Sequence, residues 1–257
     1  MNPLPSDLPQ NDPWHGLRRS TPARIGLGRA GDALPLEAVL DFQLAHARAR
    51  DAVHTPLDLA ALADGLEGLD HVSVRSQAAD RGTYLRRPDL GRRLDPACAV
   101  DLPAGGWDAV FVLADGLSAK AVQLHAVPLL RSVLVKLPGW RIAPVVLASQ
   151  ARVALGDDIG GALGATLCAM LIGERPGLSV ADSLGVYLTY GPRTGRRDSE
   201  RNCISNIHPS GGLTYEMAAT KLAWLMTEAR QRRLTGVDLK DDAAVLPAAA
   251  EPKAIEG

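Results

Sequence analysis

No run of apolar residues in this 257-residue chain reaches the ~18 needed to span a bilayer, so a membrane-embedded protein is not expected. The first residues, MNPLPSDLPQNDP, lack the charged start and apolar stretch of a secretory leader, which predicts a cytoplasmic protein. Charge of one sign is also lacking. The 28 basic and 29 acidic side chains leave a formal net charge of −1 and no global attraction to nucleic acid or anionic membrane. Cysteine is scarce: Cys98, Cys168 and Cys203 contain no C-x-x-C and form neither a disulfide framework nor a zinc site. Cys98 and Cys168 read as small buried hydrophobes, whereas Cys203 stands in the polar setting RNCISNIH.

Catalytic signatures are lacking as well. There is no H-E-x-x-H, no EF-hand loop and no G-x-S-x-G around Ser118. Cys203 and His208 are near in sequence, but spacing alone does not make a nucleophile–base pair. Gly26-Leu27-Gly28-Arg29-Ala30-Gly31 matches G-x-G-x-x-G literally. No apolar strand precedes it and Pro22 sits where one would be, so it reads as a glycine-rich connector.

What is present is a 46% hydrophobic chain able to bury a real core. Pro3, Pro5, Pro9, Pro13 and Pro22 predict an extended arm at the start, taken as residues 1–20. A smaller, mainly helical region follows over 21–95. Within it, Leu36, Leu40, Leu44 and Ala47 recur at helical spacing and predict a helix over 36–54. His46, Arg50 and His54 form a polar face on that helix. A short helix is expected over 57–66 and a strand over 71–74. The five arginines between 81 and 93, around Pro88, predict an exposed or interface segment.

The α/β domain is placed at 96–240. WDAVFVLADG has the look of a buried parallel strand, followed by a helix over 118–137. Further strands are expected over 141–147 and 184–190, with helices over 157–171 and 214–234. This alternation predicts a mostly parallel sheet flanked by helices. Ligands of such sheets bind beyond the carboxyl ends of the strands. Three loops are expected to converge there: Asp115-Gly116-Leu117-Ser118, SQARVALGDDIGG, and Tyr190-Gly191-Pro192-Arg193 with a polar loop carrying Cys203, Asn206 and His208. Ser118 and Asp157 or Asp158 are candidate helix caps, and Gly156, Gly160 and Gly161 allow close backbone approach. The Ala/Pro-rich tail, 241–257, is expected to be disordered. Pattern alone reaches an α/β ligand-binding edge without a recognisable catalytic set, and leaves open a stand-alone α/β enzyme or nucleotide-binding module and a scaffold.

TPARIGLGRAG, LAHARARDAVH, VFVLADGLSAKAV, ARVALGDDIGGALGA, IGERPGLSVADSLGVYLTYGPR and RNCISNIHPSGG together, and in this order, resemble the small subunit of ethanolamine ammonia-lyase. The resemblance covers residues 21–238. It implies a Rossmann-like domain that binds adenosylcobalamin at an interface with a large subunit, in a hetero-oligomer. The large subunit of that family carries the substrate site and the radical conversion of ethanolamine to acetaldehyde and ammonia. The family's cobalamin contacts fall on Val153 in ARVALGD, Glu174 in GERPGL and Cys203 in RNCISNIH. Val153 offers apolar contact to a ring face, Glu174 can accept hydrogen bonds from amide arms or ribose, and Cys203 fits beside a bulky ligand. No catalytic residue and no metal ligand is expected on this chain. D-x-H-x-x-G, in which a protein histidine replaces the lower base on cobalt, does not occur, so base-on cobalamin is the expected form. Arg196, Arg197 and Arg201 crowd the loop before Cys203; of the cofactor phosphate, water or an interface, water or an interface is the expected surrounding. The family often works inside a bacterial microcompartment.

Overall fold

The computed structural model describes residues 13–99 and 102–240. The tail expected to be disordered, and most of the proline-rich arm, lie outside these. The described end of the arm is not extended: helix α1 occupies His15–Ser20. Helix α2 (Leu36–His54) starts from Pro35, as its spacing predicts, and buries only Ala52. Asp58 caps α3 (Leu59–Gly65) by accepting from the Ala61 backbone N–H. Strand β1 (His71–Arg75), helix α4 (Arg81–Arg86) and the short helix α5 (Pro96–Ala99) complete this part.

The second part runs β2 (Ala109–Ala114), α6 (Ala119–Leu134), β3 (Val145–Ser149), α7 (Leu155–Leu163), β4 (Leu167–Gly173), β5 (Leu184–Tyr190), β6 (Arg201–Ile207) and α8 (Tyr215–Arg232). Ser118 caps α6. α7 has no side-chain cap, since Ala154 holds the N-cap position; Asp157 and Asp158 stand inside its first turn and bond elsewhere. Two strands escape the sequence pattern. The helix expected over 157–171 ends at Leu163, where Gly164 takes a left-handed φ of +66°, and the run LCAMLIG becomes β4. The polar stretch around Cys203 is an edge strand, β6, rather than a loop.

All six strands form one sheet in the order β1-β3-β2-β4-β5-β6. The expectation of a mostly parallel, Rossmann-like sheet needs correction, since the sheet is mixed. β1, β3, β2 and β4 pair in parallel, while β4–β5 and β5–β6 pair antiparallel. The connections decide this. The β4–β5 link is residues 174–183 and the β5–β6 link residues 191–200. Neither carries the α-helix that usually makes a parallel crossover of a dozen or more residues.

The core lies on both faces. α3, α6 and α8 cover one, packing Leu62, Leu66, Val122, Leu129, Leu222 and Met226 onto Phe111, Leu147 and Leu188. α7 covers part of the other, packing Leu155, Ile159 and Leu163 against Val110, Val146 and Met170. Each such fully buried side chain stabilises by about 1.5–3 kcal/mol. Among the described residues no helix is long and apolar enough to cross a membrane.

One buried ion pair ties the second face together. Arg201, at the start of β6, is not in water: its two terminal nitrogens each lie 2.7 Å from an oxygen of Asp157 in α7, with both side chains only 2% exposed. Thr189 of β5 accepts a further hydrogen bond at 2.8 Å. Removing either charge alone strands the other in the interior. Asp157→Ala and Arg201→Ala should each destabilise by about 3–5 kcal/mol, read from urea denaturation. The double substitution Asp157→Leu/Arg201→Met should cost less than the sum of the two.

Candidate functional site

The carboxyl ends of β1, β3, β2 and β4 share one edge. β2 and β3 are neighbours there, yet α6 and α7, which follow them, lie on opposite faces of the sheet. This is the crevice where open α/β sheets commonly bind ligands. Here it is filled by the chain itself. Asp115, 2% exposed, accepts from the backbone N–H groups of Gln150 (2.8 Å) and Ala151 (2.9 Å) and from Arg81 (3.3 Å). Arg81 also donates to the carbonyls of Gly116 (2.9 Å) and Val53 (2.7 Å), so one of the arginines expected at the surface braces the sheet edge from α4. Tyr84 stacks between Arg81 and Arg152, at 4.6 and 4.3 Å from its ring centre, and donates to the Ala151 carbonyl. Burial pushes the Tyr84 phenol up to about 12. Burial also raises the Asp115 carboxyl, against the backbone donors and Arg81 that pull it down. These groups brace the edge.

The expected convergence of three loops holds for two of them. Because β5 runs antiparallel to β4, Tyr190 pairs with Leu167, and the Tyr190–Arg193 turn leaves at the opposite edge. There Pro192 packs onto α7: a Cβ on Gly160 would fall 2.5 Å from Pro192 Cγ. The bare glycine surface admits this loop.

The open surface lies on the face that α7 covers only in part. β5 turns Gly185, Tyr187 and Thr189 toward this face, and β6 pairs Cys203 with Tyr187. Tyr187 is half-buried and Cys203 exposed. Val153, in the turn before α7, is half-buried against the same apolar cluster that Tyr187 borders. Glu174, immediately after β4, folds back over β5, where its Oε1 lies 2.9 Å from the place a Gly185 Cβ would occupy. Its Oε2 accepts from Ser183 Oγ at 2.5 Å and from the Asn206 backbone N–H at 3.3 Å. Val153, Glu174 and Cys203 therefore share one face, far apart as they are in sequence. Ser183 and Tyr187 border this surface and Gly185 lies buried beneath Glu174; sequence reasoning singled out none of the three. Once Gly164 is read as a helix terminator, β4 and β5 form a hairpin-like pair, and the alternation in SLGVYLTY puts Gly185 and Tyr187 on one side.

His208 and His125 are held away from a ligand role. The Ser210 N–H donates to His208 Nδ1 at 3.2 Å, which leaves the proton on Nε2, 2.8 Å from Asn206 Oδ1. His125 is 4% exposed and sits 2.7 Å from the Tyr215 hydroxyl, with burial lowering its pKa. Among the described residues no group of three or more His, Cys, Asp or Glu is placed to hold a metal ion.

Although Cys203 is exposed as a residue, partial desolvation of its thiol raises it above its ordinary value, with the Tyr187 hydroxyl opposing and the Glu174 charge adding. Burial pushes Cys168 up to about 12. A raised pKa means less thiolate at a given pH, and thiolate is what alkylates. At pH 8.5, iodoacetamide should therefore modify Cys203 more slowly than a free peptide thiol and leave Cys168 untouched in the native protein. The Cys203 rate should keep climbing above the ordinary thiol range. Peptide mapping by mass spectrometry reads both, and faster reaction at Cys168 than at Cys203 would contradict the burial described.

With this geometry in place, the comparisons with known proteins are direct. Residues 11–240 match the family described as "Ethanolamine ammonia-lyase light chain (EutC)". An ethanolamine ammonia-lyase small subunit of Azotobacter vinelandii is 59% identical over 244 residues, covering 91% of this chain and 90% of the relative. Those of Pseudomonas fluorescens and Pseudomonas aeruginosa are each 53% identical, over 95% and 93% of this chain and 91% of the relative in both cases. By a match that spans nearly the whole α/β fold and the face described above, the chain belongs to the ethanolamine ammonia-lyase light-chain, or small-subunit, family.

Proposed function

We propose that this chain is the cofactor-binding subunit of an adenosylcobalamin-dependent ethanolamine ammonia-lyase, a carbon–nitrogen lyase, and that it binds the cofactor at its interface with a large subunit in a hetero-oligomer. The observation that carries this reading is the open sheet face shared by Val153, Glu174 and Cys203. Its residues suit a large, flat ligand with polar arms. Val153 and Tyr187 supply apolar ledges, Cys203 is small enough for close approach, and Glu174 has one carboxylate oxygen, Oε1, without a hydrogen-bond partner among the described residues. Burial, with Cys203 and Glu174 adding to it, pushes the Tyr187 phenol up to about 12, so its hydroxyl stays protonated and able to donate near neutrality. When bound, the cofactor supplies the radical chemistry that turns ethanolamine into acetaldehyde and ammonia. The residues of this chain bind and orient it; the substrate site and the reaction belong to the large subunit.

Base-on cobalamin, with its own dimethylbenzimidazole kept on cobalt, suits this face, since both ring nitrogens of His208 are engaged and His125 is buried. Work in the cytoplasm, and in a bacterial microcompartment where the host builds one, fits the same reading. A stand-alone nucleotide-binding module is disfavoured by one feature: Arg81, Tyr84 and Asp115 fill the crevice such a ligand would enter.

Co-expressed with the large subunit, Val153→Trp and Cys203→Trp should weaken adenosylcobalamin uptake by about tenfold or more, measured by absorbance titration of the assembled complex. Unchanged affinity in both would remove those residues from the site. The purified chain alone should not deaminate ethanolamine in the presence of the cofactor. Deamination by the isolated chain would overturn the division of labour.

A further inference from the structure

Glu174 is held by an unusual frame. Its Oε2 is engaged by two donors, the Ser183 hydroxyl at 2.5 Å and the Asn206 backbone N–H at 3.3 Å. The short Ser183 contact is the kind formed by a hydroxyl on a charged acceptor. The second donor exists because of a β-bulge. Leu184 pairs with Ile207 and Val186 with Ile204, so Ser205 and Asn206 together oppose the single residue Gly185. Asn206 takes a left-handed φ of +61°, unusual for a residue other than glycine. Bulges next to sites re-aim backbone and side chains in this way. The bulge is itself pinned: the Asn206 carbonyl accepts from the Leu213 N–H at 2.8 Å, and its side chain lies 2.8 Å from His208 Nε2. Opposite the bulge, Gly185 carries no Cβ. A methyl there would fall 2.9 Å from Glu174 Oε1 and 3.2 Å from its Cγ. The carboxylate can lie across β5 only because this position is bare.

We propose that Ser183, Gly185 and the bulge at Ser205–Asn206 form a positioning device that locks Glu174 Oε2 inside the chain and leaves Oε1 as the acceptor for an amide or hydroxyl donor of the bound cofactor. This rests on the cofactor-binding reading above. None of the three touches the reacting atoms; each acts through Glu174. A fixed carboxylate oxygen recognises an N–H or O–H donor by direction as well as by charge. The arrangement also lowers the cost of binding, since the side chain is ordered before the ligand arrives.

The test uses the complex assembled with the large subunit, with adenosylcobalamin affinity read by absorbance titration and assembly checked by gel filtration. Glu174→Ala should weaken binding about tenfold, and Ser183→Ala about three- to tenfold. Ser183→Thr, which keeps the hydroxyl, should restore most of the loss. In the Glu174→Ala background, Ser183→Ala should have no further effect, because its target is gone. A merely structural serine would not show this dependence on Glu174. Gly185→Ala should also weaken binding, and only where Glu174 is present; it decides the matter if the Ser183→Ala complex does not assemble. If Glu174→Ala weakens binding but Ser183→Ala and Gly185→Ala do not, or their effects add to that of Glu174→Ala, the positioning inference falls and the cofactor reading stands. If Glu174→Ala is silent while Val153→Trp weakens binding, Glu174 leaves the site and the inference falls with it. If all of these variants bind as the parent does, the cofactor reading fails too.

Discussion

The Asp157–Arg201 ion pair is the constraint on which the open face depends. Asp157 stands in the first turn of α7, just after Val153, and Arg201 begins the strand that carries Cys203. Two bonds of 2.7 Å between buried groups fix that helix against that strand with little play. A pair this dry brings little net stability compared with apolar packing. Its effect here is geometric. It sets where the polypeptide leaving β3 stands relative to the far edge of the sheet, and so the relation between Val153 and Cys203.

Strand direction does the rest. Had β5 followed β4 through a helical crossover, Tyr187 and Cys203 would have lain beneath a helix on a continuous parallel sheet. The short links instead turn β5 and β6 back, and the face that α7 covers only in part continues past the helix as an uncovered surface. The β4–β5 link also carries Ser183 beside Glu174, so the loop that reverses the chain helps to orient the carboxylate. At the carboxyl edge, meanwhile, Arg81 and Tyr84 close the crevice between β2 and β3. The fold thus keeps its α/β edge but closes it, and leaves its open surface on the sheet face.

Sequence periodicity captured α2, β2, α6 and α8, where amphipathic spacing or a continuous apolar run is long enough to be unambiguous. It failed at β4, because LCAMLIG directly follows a helix and a short apolar run fits either period. It failed at β6 for the opposite reason: an edge strand exposed along one side has too few apolar residues to alternate. The proposal of Val153, Glu174 and Cys203 as contacts rests on six motif blocks shared with a family, and no pattern of charge or spacing would have picked them out.

The sequence by itself determined the class of the fold, its principal helices, the buried strand β2 and the family, because local spacing and a long ordered set of motifs carry those directly. Tertiary structure alone decided the mixed direction of the sheet, the burial of Arg201 and the framing of Glu174. Each of these depends on partners distant along the chain, such as Asp157 for Arg201 and Asn206 for Glu174. A charged side chain reads as solvated until the fold supplies the opposite charge or donor that makes its burial affordable.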